Sequence, residues 1–226
     1  MAKLYFRYGA MNSGKSTALL QAAFNYEERG HRVLIAKPAT DTKGDRQVVS
    51  RLGVTRDVDF LVAPDDSLFE AFQLHRDERR VERGEERGAK GTSGIISDEP
   101  AAVRSDVSCL LIDEAQFLTR DQVDDALRIA LIESVPVLAY GIRTDFLTSA
   151  FPGSARLLEV AHSLEELKTI CRCGRKAIFN PRLVNGRFVF DGDQVAIDGD
   201  SVTYESLCGV CYLEESNGLL GAAHRD

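Results

Sequence analysis

The stretch that decides the fold is Gly9-Ala10-Met11-Asn12-Ser13-Gly14-Lys15-Ser16. It matches the pattern G-x-x-x-x-G-K-[ST], which holds phosphate groups when it joins a strand to a helix. Residues 3–8 are an aromatic and aliphatic run that predicts the strand, and residues 17–28 have the apolar spacing of a helix. A glycine-rich turn that merely caps a helix beside a surface lysine is the alternative, and this context disfavours it.

The loop carries the groups that a nucleoside triphosphate needs. Its glycines allow successive backbone N–H groups to turn toward phosphate oxygens, and the start of the helix adds partial positive charge. Lys15 is expected to reach the β- and γ-phosphates, and Ser16 to offer its hydroxyl to Mg²⁺. All eight residues of the stretch are therefore candidate ligand-binding residues.

Buried strands and helices alternate after the loop. Residues 33–36, 110–112 and 135–140 predict strands, and residues 121–132 predict an amphipathic helix. This alternation predicts an α/β fold of the P-loop NTPase type, a mostly parallel sheet flanked by helices.

Two carboxylates follow one of these strands. Cys109 to Ile112 is apolar, and Asp113 and Glu114 come next, where open α/β sheets bind their ligands. We expect Asp113 to hold Mg²⁺ through water and Glu114 to act as a general base. An acidic cap of a following helix is the alternative, and the phosphate loop earlier in the chain disfavours it.

Four of the five cysteines form two close pairs, Cys171 with Cys173 and Cys208 with Cys211. The 34 residues between the pairs contain Asn185-Gly186 and Asp191-Gly192, so a ribbon with two turns can bring four thiolates onto one Zn²⁺ ion. The first pair is one residue tighter than the usual C-x-x-C, and four reduced thiols in a small core are the alternative. From Cys171 onward the sequence changes to short segments, glycine-rich turns and paired cysteines. This change in composition predicts three parts: residues 1–170, 171–215 and a tail at 216–226.

The composition excludes several classes of protein. With 226 residues, 44% hydrophobic and 28% charged, the chain is expected to fold. Its net charge of −7 gives no field for gathering nucleic acid, and no apolar stretch approaches the roughly 18 residues of a membrane span. Without a signal peptide pattern, we expect a cytoplasmic protein. The charged and polar residues within 64–108 predict an exposed helix face followed by a surface loop.

Three elements together resemble one family. They are the loop at residues 9–16, Asp113-Glu114-Ala115-Gln116-Phe117, and Tyr204 to Cys208 before the last cysteine pair. This combination is similar to the cytosolic thymidine kinases of the zinc-containing, P-loop type. The resemblance implies ATP-dependent phosphorylation of the 5′-hydroxyl of thymidine to give dTMP, with Glu114 as the base. It also implies a homotetramer.

The resemblance also implies site residues. Asp113, Glu114, Ala115 and Gln116 would belong to the ATP site. A segment that we call the lasso, residues 195–204, would cover the nucleoside. The nucleoside-binding candidates are Met11, Phe117, Ile142, Phe146, Asn180, Val195, Ile197 and Tyr204.

Three features depart from the family pattern. Lys43 stands where an arginine is common, residues 75–106 are longer and more charged, and Ala115 replaces a glycine, which requires a negative φ there. Arg143, after the strand at 135–140, is the candidate for an additional cation.

Two other functions fit parts of the sequence. In a P-loop ATPase, Glu114 would activate water instead of a nucleoside hydroxyl. A nucleic-acid-binding zinc ribbon would need basic residues around the cysteines, but the acidic residues of the same segment cancel them.

Overall fold

The computed structural model describes residues 1–40, 46–87, 107–194 and 202–221, with the backbone alone for 78–87. Lys43, Val195 and Ile197, as well as residues 88–106, lie outside the described residues. The expectations for them therefore stay predictions.

Six short strands build the main sheet. The strands are β1 (Leu4–Tyr8), β2 (Arg32–Pro38), β5 (Phe60–Val62), β6 (Val107–Ile112), β7 (Val137–Gly141) and β8 (Ser163–Glu166), while β3 (Gln47–Val49) and β4 (Thr55–Asp57) form a separate hairpin. Their order across the sheet is β5-β2-β6-β7-β1-β8, and each neighbouring pair is parallel. The carboxyl ends of β1 and β6, which carry the loop and the acidic pair, therefore meet at one edge.

Helices cover both faces of this sheet. They are α1 (Lys15–Glu27), α2 (Leu68–Arg87), α3 (Arg120–Ile132) and α4 (Pro152–Val160). Leu19 and Ala23 of α1 pack on one face, and the apolar sides of α2, α3 and α4 pack on the other. No helix in the described ranges is long and apolar enough to cross a membrane.

The predicted α/β fold is confirmed, with the element boundaries shifted. Helix α1 begins at Lys15, two residues before the predicted start, because Gly14 adopts a left-handed conformation (φ 80°) and ends the loop there. Helix α2 buries Leu68 and Phe72 in its first turns and continues to Arg87 through most of the charged stretch. Strand β8 and helix α4 were not predicted; β8 is a sheet edge with the exposed acidic sequence S-L-E-E.

Short antiparallel strands form the C-terminal part. They are β9 (Thr169–Ile170), β10 (Lys176–Ala177), β11 (Arg182–Val184), β12 (Arg187–Val189) and β13 (Val202–Tyr204), followed by helix α5 (Gly209–Glu215). Strand β11 lies between β12 and β13. The predicted turn at Asn185-Gly186 joins β11 to β12, and both residues have positive φ. A small core of cysteines, Leu207 and Tyr212 packs beside these strands.

Candidate active site and cysteine cluster

The loop after β1 adopts a compact shape that only its glycines permit. A Cβ atom on Gly9 would lie 2.5 Å from the main-chain oxygen of Leu167, so a larger residue does not fit there. Asn12 and Gly14 have positive φ, which is the backbone geometry that turns N–H groups inward. The Nζ of Lys15 donates to the carbonyl oxygens of Ala10 at 3.0 Å and Gly9 at 3.4 Å. The lysine thus lies folded over the loop, close to where phosphates would bind.

Residues from the far end of the chain hold this loop. The N–H of Met11 donates to Oδ1 of Asn180 at 2.6 Å, and the hydroxyl of Ser206 donates to the carbonyl oxygen of Met11. Both main-chain groups of Met11 are therefore bonded to the C-terminal part. Asn180 is 2% exposed and uses its amide oxygen for this bond, a role that the sequence did not indicate.

The ends of β2 and β6 place a cation beside the acidic pair. The N–H of Asp113 donates to the carbonyl oxygen of Ala36, the residue before Lys37. Because Ala36 pairs with Ile112, Lys37 and Asp113 are the next residues along these two neighbouring strands. Lys37 is 1% exposed and Asp113 is 5% exposed. Lys37 was not predicted as a site residue, although a lysine directly after the apolar run at 33–36 was a usable signal.

Glu114 has an unusual backbone and an oriented side chain. Its φ of 48° and ψ of 40° are left-handed, which costs a residue with a Cβ atom about 1–2 kcal/mol. The Nε2 of Gln116 donates to a carboxylate oxygen of Glu114 at 2.6 Å, and Oε1 of Gln116 accepts from the N–H of Ile142 at 3.2 Å. Gln116 therefore fixes Glu114 against β7. Ala115 lies in a short 3₁₀ helix, Ala115–Phe117, and is not among the residues with positive φ, so its side chain is tolerated.

The loop and the carboxylates open into one cleft of about 880 Å³. Eight predicted residues line it: Met11, Asn12, Gly14, Lys15, Ser16, Asp113, Glu114 and Ile142. The β3–β4 hairpin, which was not predicted, forms another wall with residues such as Val49 and Leu52, and Thr17 of α1 is hydrogen-bonded to Ser50 of that hairpin.

Several predicted residues do not line this cleft. Phe117 packs edge-on against Phe151, with ring centres 5.5 Å apart. Phe146 and Tyr204 both contact Arg182. Arg143 lies over the ring of Tyr8, with its guanidinium carbon 6.0 Å from the ring centre. Their proposed roles in ligand binding stay predictions.

The two cysteine pairs meet, as the sequence predicted. The Sγ atoms of Cys171, Cys173, Cys208 and Cys211 all lie within 4.8 Å of one another, and those of Cys173 and Cys208 are 3.6 Å apart. In a tetrahedral site with Zn–S bonds of about 2.3 Å, neighbouring sulfurs lie about 3.8 Å apart. The geometry and the soft donor set therefore fit Zn²⁺.

The thiols influence one another strongly at these distances. A hydrogen bond from the backbone N–H of Cys211 lowers the pKa of Cys208 to about 6. A hydrogen bond to Cys173 raises the pKa of Cys211 to about 12. The thiols therefore titrate as a coupled set, and four sulfurs this close cannot all ionise without a compensating positive charge. A bound cation would remove this conflict, because it stabilises all four thiolates.

Comparison with known proteins identifies the family. A family model described as thymidine kinase matches residues 2–82 and 83–212. The chain belongs to the thymidine kinase family. It is 43% identical to the thymidine kinase of Legionella pneumophila (strain Paris) over 223 residues, 98% of this chain and 92% of the relative. It is 41% identical to the thymidine kinase of Enterobacteria phage T4 over 210 residues, 92% of this chain and 94% of the relative.

Membership of the thymidine kinase family makes the chain an enzyme, a kinase. The resemblance inferred from the phosphate loop, the acidic pair and the cysteine pairs is therefore confirmed. The match to the family model runs from residue 2 to residue 212, so it spans the segments that form the sheet and those that carry the cysteine pairs.

Proposed function

We propose that the chain transfers the γ-phosphoryl group of ATP to the 5′-hydroxyl of thymidine, giving dTMP and ADP. The family assignment supports thymidine as the substrate, and the phosphate loop supports ATP as the donor. The observation that carries the proposal is Glu114, an oriented carboxylate in the same cleft as Lys15.

In this reaction the protein forms no covalent bond to either substrate; it positions them and accepts one proton. The 5′-oxygen attacks the γ-phosphorus, the bond from that phosphorus to the β–γ bridging oxygen breaks, and ADP leaves with the bond electrons. The proton of the 5′-hydroxyl passes to the carboxylate of Glu114. Lys15 and the loop N–H groups hold the phosphates in line and balance their charge.

Gln116 and residues that line the cleft position the reacting groups. Gln116 keeps the Glu114 carboxylate pointed to one place, which preserves its distance from a bound hydroxyl. Mg²⁺ would be held by Ser16 and, through water, by Asp113, because a hydroxyl and a carboxylate both line the cleft beside Lys15. When bound, Mg²⁺ supplies positive charge to the phosphate oxygens.

A steady-state assay tests the function. ADP release with ATP and Mg²⁺ is expected to depend on thymidine and to be far slower with water as the acceptor. A panel of the common nucleosides under the same conditions is expected to favour thymidine. ADP release that is equally fast without any nucleoside would support the competing ATPase function and refute the proposal.

We also propose that the cysteine cluster holds one structural Zn²⁺ per chain. Protein purified without chelator is expected to contain one zinc equivalent by elemental analysis, and Cys208→Ser to lose most of it. The fifth cysteine, Cys109, is buried in β6 away from the cluster, so Cys109→Ala is the matched control and should keep its zinc. Purified wild-type protein that lacks zinc would contradict the proposal.

A further inference from the structure

Arg182 occupies an unusual position in the C-terminal sheet. It begins β11, pairs with Tyr204 of β13 in the register, and is only 5% exposed. Its guanidinium carbon lies 3.7 Å from the centre of the Phe146 ring. Moving a guanidinium out of water costs free energy, so the contacts of Arg182 in the protein must offset that cost.

Those partners come from three separate segments. The Nε of Arg182 donates to the hydroxyl of Tyr204 at 3.3 Å. One terminal nitrogen donates to the carbonyl oxygens of Asp193 at 2.8 Å and Gln194 at 3.1 Å. These groups and the Phe146 ring are all neutral. One side chain therefore links the loop after β7, the segment after β12 and strand β13.

A second contact holds the same segment. The side-chain amide of Gln194 donates to the carboxylate of Asp145 at 3.0 Å, and that carboxylate also accepts from the N–H groups of Leu147 and Ser149. Asp145 precedes Phe146, and Arg182 covers the ring of Phe146. The positions of Phe146, Gln194 and Tyr204 are consequently coupled through the guanidinium.

We propose that Arg182 is a positioning residue for the nucleoside. It fixes the ring of Phe146 relative to Tyr204 without contributing to the phosphate site. The inference rests on the proposed function and on the family resemblance, which implies that these two aromatic residues bind thymidine. A lysine would not replace it, because a single ammonium group lacks the planar fork that reaches three segments and stacks on a ring.

The test compares the effect of each substitution on the KM for thymidine with its effect on the KM for ATP. Arg182→Ala and Arg182→Lys are expected to raise the KM for thymidine tenfold to a hundredfold, on the order of the loss of one or two buried hydrogen bonds to a charged group. The KM for ATP should change by about twofold or less. Arg187→Ala is the matched control: Arg187 lies in β12 of the same sheet, is exposed, and should leave both values unchanged.

Chemical rescue distinguishes positioning from folding. Ethylguanidinium at millimolar concentration is expected to lower the thymidine KM of Arg182→Ala again, but not that of Arg182→Lys, where the lysine side chain fills the space. An unchanged thymidine KM in Arg182→Ala, a raised KM without rescue, or a parallel loss of zinc and ATP binding would overturn the proposal. Failure of the proposed function itself would show in the wild-type enzyme, as absent thymidine phosphorylation.

Discussion

Glu114→Gln is expected to slow thymidine phosphorylation by roughly a hundredfold to ten-thousandfold, or about 2.7–5.5 kcal/mol in the barrier. A nucleoside hydroxyl is a very weak acid, so its proton needs an acceptor as the phosphorus–oxygen bond forms. Glutamine keeps the shape of the side chain and can still bond to Gln116, but it cannot take the proton. Rapid-quench measurement of the first turnover reports this step directly.

Asp113→Asn provides the comparison for this variant. Its expected effect is a changed Mg²⁺ dependence, because the proposed partner of Asp113 is the metal's water shell. In Glu114→Gln, by contrast, the KM values for ATP and for thymidine should each change by only a few fold. Full activity of Glu114→Gln with both substrates bound would refute the general-base assignment and leave positioning alone to explain the rate.

Lys15→Ala is expected to lower kcat/KM for ATP on the order of a hundredfold to a thousandfold. The variant loses the ammonium group that folds over the loop beside Ala10, and with it the charge at the β- and γ-phosphates. Thymidine binding, measured by calorimetry without ATP, should stay near the wild-type value because the loss is confined to the phosphate site.

Lys3→Ala is the matched control for the phosphate-site variant. Lys3 is exposed and precedes β1, at the opposite end of the strand from the loop, so its removal should not affect turnover. Near-normal activity of Lys15→Ala would mean that the loop does not bind the triphosphate in the way proposed.

The central strands of the sheet could be predicted because they are buried on both faces. Strands β2, β6 and β7 are almost continuous runs of aliphatic residues, and such runs are distinctive in a sequence. Strands β3, β4 and β8 are short and partly polar, because they lie in a hairpin or at an edge. Their pairing depends on partners far away in the chain, which periodicity does not reveal.

Part of the site was predictable for a related reason. A phosphate loop and four metal ligands follow local spacing rules, so Lys15 and the cysteine pairs could be recognised individually. The support of Glu114 by Gln116 depends on a left-handed backbone and a contact with Ile142. Likewise, nothing local to Arg182 indicates that it touches Phe146. The homotetramer, the cytoplasmic location and the domain boundaries stay predictions.

The bonds between Met11, Asn180 and Ser206 have a consequence for biosynthesis. The ribosome makes the phosphate loop first, but the two residues that bond the main chain of Met11 follow 169 and 195 positions later. Although N-terminal domains generally begin to fold during translation, this loop acquires these two partners only after the segment that contains Asn180 and Ser206 has emerged. A nascent chain that lacks Asn180 and Ser206 thus carries the whole loop motif without the two bonds that hold its main chain at Met11.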